Sequence, residues 1–185
     1  MKTFTKMIYE LYVAPINEAK QQFTSANTSI NKNKLPKGYG VVGKHFGWKK
    51  GTVHLDVGGG KFDNAIEHLK SHGVMGHVYD PFNRSESQNA VALASRADTA
   101  SLFNVLNVIP ETEYQIAALK LAHGALRRGG KMYVGVYEGD GSGNGTKTKK
   151  DSFQHNKKLT HYLTPVQQVF PNAIIQHGII HATKD

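Results

Sequence analysis

The chain has 185 residues, enough for one substantial domain, and contains no cysteine, which excludes disulfides and any Cys-based zinc site and leaves a reducing, cytoplasmic setting as the expectation. No window approaches the roughly 18 apolar residues of a membrane span, and Met1 to Asn27 lacks the apolar core of a signal peptide. The net charge of +9 is uneven: residues 1–50 carry nine Lys and two acids, residues 51–140 eight Lys or Arg and ten acids, and residues 141–185 six Lys and two acids. A nearly neutral middle between two basic flanks is what a protein acting on a polyanion would use, with a merely solubilising surface as the alternative.

In chain order, residues 3–23 place Met7, Ile8, Leu11, Tyr12 and Ile16 at helical spacings, interrupted near Pro15. Ser25 to Lys37 reads as a loop that Gly38-Tyr39-Gly40 continues, so residues 1–50 form a basic helical cap and loop ahead of the main unit, 51–185. Phe46 and Trp48 follow, either as aromatics over a ligand or as core packing beneath the cap.

Val53-His54-Leu55-Asp56-Val57-Gly58-Gly59-Gly60 reads as a buried strand running into a tight loop. A helical pattern follows, Phe62 to Ser71, and then a second strand ending at Val78-Tyr79-Asp80. A strand, glycine loop, helix and strand of this kind present backbone N–H groups and a helix start to a ligand, and Asp80 closes the unit where ribose hydroxyls would lie. Gly58 and Gly60 lack the third glycine of a dinucleotide fingerprint, that position being Asp63. Asp56, just before the glycines, opposes a pyrophosphate and favours a sulfonium and an ammonium. S-adenosylmethionine carries both.

Here the sequence resembles the class I S-adenosylmethionine-dependent methyltransferases. Leu55 to Gly60 is similar to their first motif, with Phe62 where the last glycine usually stands, and Tyr79-Asp80 is similar to their second. The resemblance implies a Rossmann-like α/β fold: a mainly parallel sheet with helices on both faces and an antiparallel closing strand. It also implies S-adenosyl-L-methionine as cofactor, held by Asp56, Gly58, Gly60, Asp80, Pro81, Phe82 and Asn104, with Pro81 stiffening the turn and Phe82 offering a face to adenine.

Ser85 to Ala97 reads as a short helix capped by Ser85, leaving little room for a full third strand, so the sheet is expected either to be one strand reduced on that side or to keep only a vestige of that strand. Asp98 to Ile109 is the next strand, similar to the fourth methyltransferase motif. A helix over Thr112 to Leu126 ends at Arg127-Arg128-Gly129-Gly130, and Lys131 to Tyr137 is a further strand. Gly139 to Asp151, glycine at alternate positions at first, reads as a long loop at the ligand edge. A helix from Pro165 capped by Thr164 and one or two closing strands in 173–183 complete the chain.

A finer resemblance links Tyr79-Asp80-Pro81, Asn104 to Ile109, Ser152-Phe153-Gln154 and Tyr162-Leu163-Thr164 to methyltransferases associated with DNA phosphorothioation, which adds a nucleic-acid context. The absence of Cys disfavours methylation at pyrimidine carbon 5, which needs a thiolate, and Asn104 and Asn107 lack the Pro-Pro-aromatic sequel of adenine or cytosine amino methylation. Asn107, His155 and Tyr162 are the acceptor-side candidates, against a core role for Tyr162 and an exposed one for His155. Ten histidines show no metal spacing, and no metal is expected. A protein that binds or degrades the cofactor without a methyl acceptor, or a small-molecule methyltransferase, remains the alternative.

Overall fold

The computed structural model describes residues 34–149 and 152–185. The amphipathic pattern at 3–23 lies outside the described residues.

The first described helix, α1 (Lys37–His45), falls where a glycine loop was expected. Its three glycines lower helix stability by about 3 kcal/mol relative to alanine. Tyr39 and Val42, three residues apart and both fully buried, offset this at about 1.5–3 kcal/mol each. Gly38 is a packing requirement: a Cβ there would stand 2.3 Å from the Phe103 ring. The composition that reads as a loop is what lets this helix lie close on the sheet.

The sheet follows from strands β1 (Val53–Val57), β2 (Met75–Tyr79), β3 (Ala97–Phe103) and β4 (Leu126–Gly135), all parallel. A terminal hairpin, β7 (Ile174–Gln176) and β8 (Ile179–Thr183), adds β8 antiparallel to β4, giving the order β2-β1-β3-β4-β8-β7. Among the described residues no strand lies outside β2, so the sheet is one strand reduced where expected. Helix α2 (Asn64–Ser71) joins β1 to β2, and α3 (Glu86–Ala94) runs from β2 to β3. Ser85 caps α3 in a full capping box with Gln88. Strand β4 begins directly after α4 (Thr112–Ala125) rather than at Lys131, with Arg127 to Gly130 as an irregularity between its pairings at Ala97/Leu126 and Thr99/Lys131.

Alternation along each strand separates two cores. Leu55, Val57, Ala100, Leu102, Met132 and Val134 face α3 and α4; Phe103, Tyr133 and Ile179 face α1 and α2. Three expectations are corrected. The strand at 98–109 stops at Phe103, because Asn104 takes a left-handed conformation (φ 61°) and Leu106–Val108 form a 3-10 turn. The long loop at 139–151 is partly a hairpin, β5 (Gly145–Lys149) against β6 (Ser152–His155), in which Gly145 makes room for the Phe153 ring. The helix expected from Pro165 is α5 (Leu163–Gln167), preceded by a 3-10 turn at Leu159–Tyr162, so the proline sits inside the first turn, where its missing N–H leaves no helical bond unmade.

Candidate active site

From β1 the chain passes to β2 on one side and then crosses to β3 on the other, so the carboxyl ends of β1 and β3 diverge and leave a crevice. Pro36, Asp56, Gly58, Gly59, Phe62, Asn64, Ala65 and Phe103 line a small cleft there, partly open to solvent. Two residues expected to hold a cofactor, Asp56 and Gly58, thus line one cavity. Pro36, Phe62, Asn64 and Phe103 were not among those expected. Phe62, which replaces the usual last glycine, forms part of the wall instead.

Glycine is required twice in the loop. Gly58 has φ 78°, and a Cβ there would stand 2.6 Å from Val105, which ties the turn after β1 to the turn after β3. A Cβ on Gly59 would stand 2.5 Å from Asp56 Oδ2, so the carboxylate faces bare backbone. Asp56 is 3% exposed, and Ser101 Oγ donates to its Oδ1 at 2.9 Å. Burial raises its pKa to about 6, against the pull of the nearby Tyr39 and Ser101 hydroxyls. A buried carboxylate with one oxygen left toward a cleft is a place for a positively charged ligand group.

Asp80 closes β2 and organises the next loop. Its Oδ1 accepts from the N–H groups of Phe82 and Asn83 and from Asn83 Nδ2, at 2.9–3.0 Å; its Oδ2 accepts from Gly60 N at 2.9 Å. Oδ1 thus takes three donors and Oδ2 one, so Oδ2 is the oxygen with room for a further donor. Pro81 and Phe82 are exposed at the tip of this loop, Phe82 by 46%.

Two residues that sequence reasoning passed over fix both loops. Arg84 donates from Nε to Gly60 O (2.8 Å) and from Nη2 to Phe62 O (3.1 Å), and its Nη1 pairs with Asp63 (2.7 Å). Asn89 of α3 accepts from Asp80 N and donates to Asp80 O. Their partners are mostly main-chain groups, several of them more than twenty residues distant for Arg84, so no side-chain motif marks them.

Asn104, expected to hold the cofactor, follows β3 and donates its N–H to Gly135 O. Among the acceptor-side candidates, Asn107, 1% exposed, donates from Nδ2 to Gln154 Oε1 at 3.0 Å, so the 3-10 turn and β6 meet, and its Oδ1 has no hydrogen-bond partner among the described residues. The turn itself is pinned by Gln115 of α4, donating to Leu106 O and Ile109 O. His155 Nδ1 is buried without a partner among the described residues, and burial, then Lys157 and His161, lower its pKa. Tyr162 belongs to the main core; its hydroxyl is buried without a partner among the described residues, and burial raises its pKa to about 12. Among the described residues no three His, Asp or Glu side chains converge as metal ligands would, and no helix is long and apolar enough to cross a membrane.

No protein-family model and no curated protein matches the chain. Solved structures do. The 1,6-didemethyltoxoflavin-N1-methyltransferase of Burkholderia thailandensis, solved with 1,6-didemethyltoxoflavin and S-adenosylhomocysteine, matches with a TM-score of 0.63 at 15% identity, over 100% of this chain and 91% of its own. A SAM-dependent methyltransferase from Methanosarcina mazei matches at 0.53 and 13% identity, over 74% of this chain and 93% of its own. The S-adenosylmethionine-dependent methyltransferase SibL, in its apo form, matches at 0.53 and 13%, over 98% and 73%. The chain therefore has the Rossmann-like fold of class I S-adenosylmethionine-dependent methyltransferases.

Proposed function

We propose that this chain is an S-adenosylmethionine-dependent methyltransferase. The observation that carries the reading is the buried Asp56 carboxylate, one oxygen tied to Ser101 and the other facing a cleft that only glycine at position 59 leaves open. Asp56 would meet the cationic part of S-adenosylmethionine, the remaining site on Asp80 Oδ2 a ribose hydroxyl, and Phe82 the adenine face, with Gly58, Gly60, Pro81 and Asn104 shaping the loops around them. When bound, that cofactor supplies an electrophilic methyl carbon on a sulfonium.

The chain's own task is alignment, since an in-line displacement needs the acceptor atom held on one axis and a base only where that atom keeps its proton. Asn107 Oδ1 is free to accept from an acceptor N–H or O–H. His155, kept neutral, is suited to take up a proton, and Tyr162, kept protonated, to donate a hydrogen bond. S-adenosylmethionine and S-adenosylhomocysteine should raise the melting temperature while NAD does not, and labelled cofactor should yield S-adenosylhomocysteine only with an acceptor present. Methylthioadenosine formed without an acceptor would instead mean cofactor breakdown, and NAD as the sole ligand would overturn the reading.

The basic flanks favour a nucleic-acid acceptor, with Lys157 and Lys158 next to the β5-β6 hairpin as phosphate-binding groups. Neutralising Lys147, Lys157 and Lys158 should then flatten the salt dependence of binding by about 0.9 in log–log slope for each phosphate no longer neutralised. No binding of DNA or RNA at low ionic strength would point to a small acceptor, such as the 1,6-didemethyltoxoflavin bound by the Burkholderia enzyme.

A further inference from the structure

Four polar side chains share one face of the two central strands. His54 and Asp56 lie two residues apart on β1, and the residues paired with them on β3 are Thr99 and Ser101. His54 Nδ1 lies 2.7 Å from Thr99 Oγ1, its Nε2 lies 2.9 Å from Ser101 Oγ, and Ser101 donates to Asp56 Oδ1 at 2.9 Å. His54 and Ser101 are fully buried. Tyr39 and Trp48 set their rings edge-on to the imidazole at 5.8 and 5.2 Å and close this ladder from above.

The protons can be placed. An ionised carboxylate only accepts, and a hydroxyl has one proton, so Ser101 donates to Asp56 and accepts from His54 Nε2–H. The imidazole is neutral, burial lowering its pKa to about 3, so Nδ1 is its acceptor and the Thr99 hydroxyl donates a hydrogen bond to it. One arrangement satisfies every link, and each donor points toward Asp56.

We propose that Thr99, His54 and Ser101 are positioning residues that hold Asp56 with Oδ1 turned into the sheet and Oδ2 toward the cleft, and that they keep it ionised for a cationic ligand group. The ligand rests on the cofactor reading; the ladder does not. The groups around Asp56 are the Tyr39 hydroxyl from α1, Ser101 from β3, Asp80 beyond β2, whose charge opposes ionisation, and Arg84 from the following loop, whose charge favours it. Burial opposes ionisation most strongly, and the aligned donors are the counterweight within the sheet. A complete polar chain also explains why a histidine is tolerated in this core, where an unsatisfied one would be costly.

The test uses the free protein and nuclear magnetic resonance. In ¹⁵N-histidine-labelled wild type, His54 should show a neutral imidazole with its proton on Nε2 at pH 7–8, where Asp56 is ionised. Side-chain ¹³C signals should give an Asp56 midpoint that Ser101→Ala raises by about one pH unit or more, with Thr99→Val moving it less and in the same direction. A proton on Nδ1 of His54 in the wild type, or an unmoved Asp56 midpoint in a folded Ser101→Ala variant, overturns the proposal. Wild-type protein that shows the ladder but binds neither S-adenosylmethionine nor S-adenosylhomocysteine would support the positioning role while sinking the cofactor reading alone.

Discussion

A single methyl group at position 59 probes the cleft. In Gly59→Ala the new Cβ would meet Asp56 Oδ2 at 2.5 Å, Asp56 Cγ at 2.9 Å and Val78 Cγ1 at 3.0 Å. The backbone there is not left-handed, so the penalty is steric alone. Asp56 cannot swing clear without stretching its bond from Ser101, and Val78 is 5% exposed and packed. Overpacking at about 1–3 kcal/mol plus a weakened hydrogen bond at about 1 kcal/mol gives a loss of about 2–4 kcal/mol. At about 2–4 °C per kcal/mol for a chain of this size, the melting temperature should fall by about 4–16 °C. The methyl also narrows the cleft, so calorimetry should show S-adenosylhomocysteine binding weakened by at least about tenfold, equivalent to 1.4 kcal/mol. Gly40→Ala is the control, since a Cβ there meets nothing within 4 Å, and alanine in α1 should stabilise by up to about 1 kcal/mol. A Gly59→Ala protein that melts with the wild type and binds the nucleoside normally would refute the placement of Asp56.

Arg84→Met removes two charge-assisted bonds to the glycine loop; with its exposed pairing to Asp63 discounted, it should destabilise by about 2–4 kcal/mol in urea titrations and weaken nucleoside binding. Gly38→Ala drives a methyl into Phe103 and should release α1, read as a loss of near-ultraviolet circular dichroism from Tyr39 and Trp48 with the far-ultraviolet signal of the sheet kept. For pH, Asp56 has a folded pKa raised from 3.8 to about 6, so its share of stability is full at low pH and is lost as pH rises through that window, by on the order of 3 kcal/mol. Asp56→Asn should therefore gain on the wild type between pH 4 and 6 in denaturant titrations. His54, lowered from 6.5 to about 3, acts with the opposite sign: its share is present above 6.5 and is lost as pH falls toward 3.

The βαβ core was legible because its signals are local. An apolar run, glycines at 58 to 60, a helical pattern and a strand-ending Asp80 each report their own conformation. The short α3 was legible through its capping box, and its length announced the reduced sheet. What escaped depends on partners distant in sequence. Three glycines hid α1, two of which, Gly38 and Gly43, make room for Phe103 and Trp48 rather than for a turn. Alternating glycines at 139 to 145 hid the hairpin, whose Thr146 pairs with Gln154. The roles of Arg84, Asn89 and Gln115 are bonds to main-chain carbonyls and amides, which carry no residue code. His54 was read as one residue of an apolar run; only its register against Thr99 and Ser101 gives it a function.

Helix α1 cannot persist away from the sheet. Nine residues are too few for a stable isolated helix even without three glycines, so its helicity and its docking on Phe103, Tyr133 and Ile179 are a single event. Pro36, directly before it, is part of the cleft wall, and the stacking of His45 on His177 at 4.0 Å moors its far end to the β7-β8 turn. Undocking would therefore remove a wall of the cleft. Amide protons of α1 should exchange with deuterated solvent at the rate of this local opening, ahead of those in β1 and β3, and a ligand seated against Pro36 and Phe103 should slow that exchange.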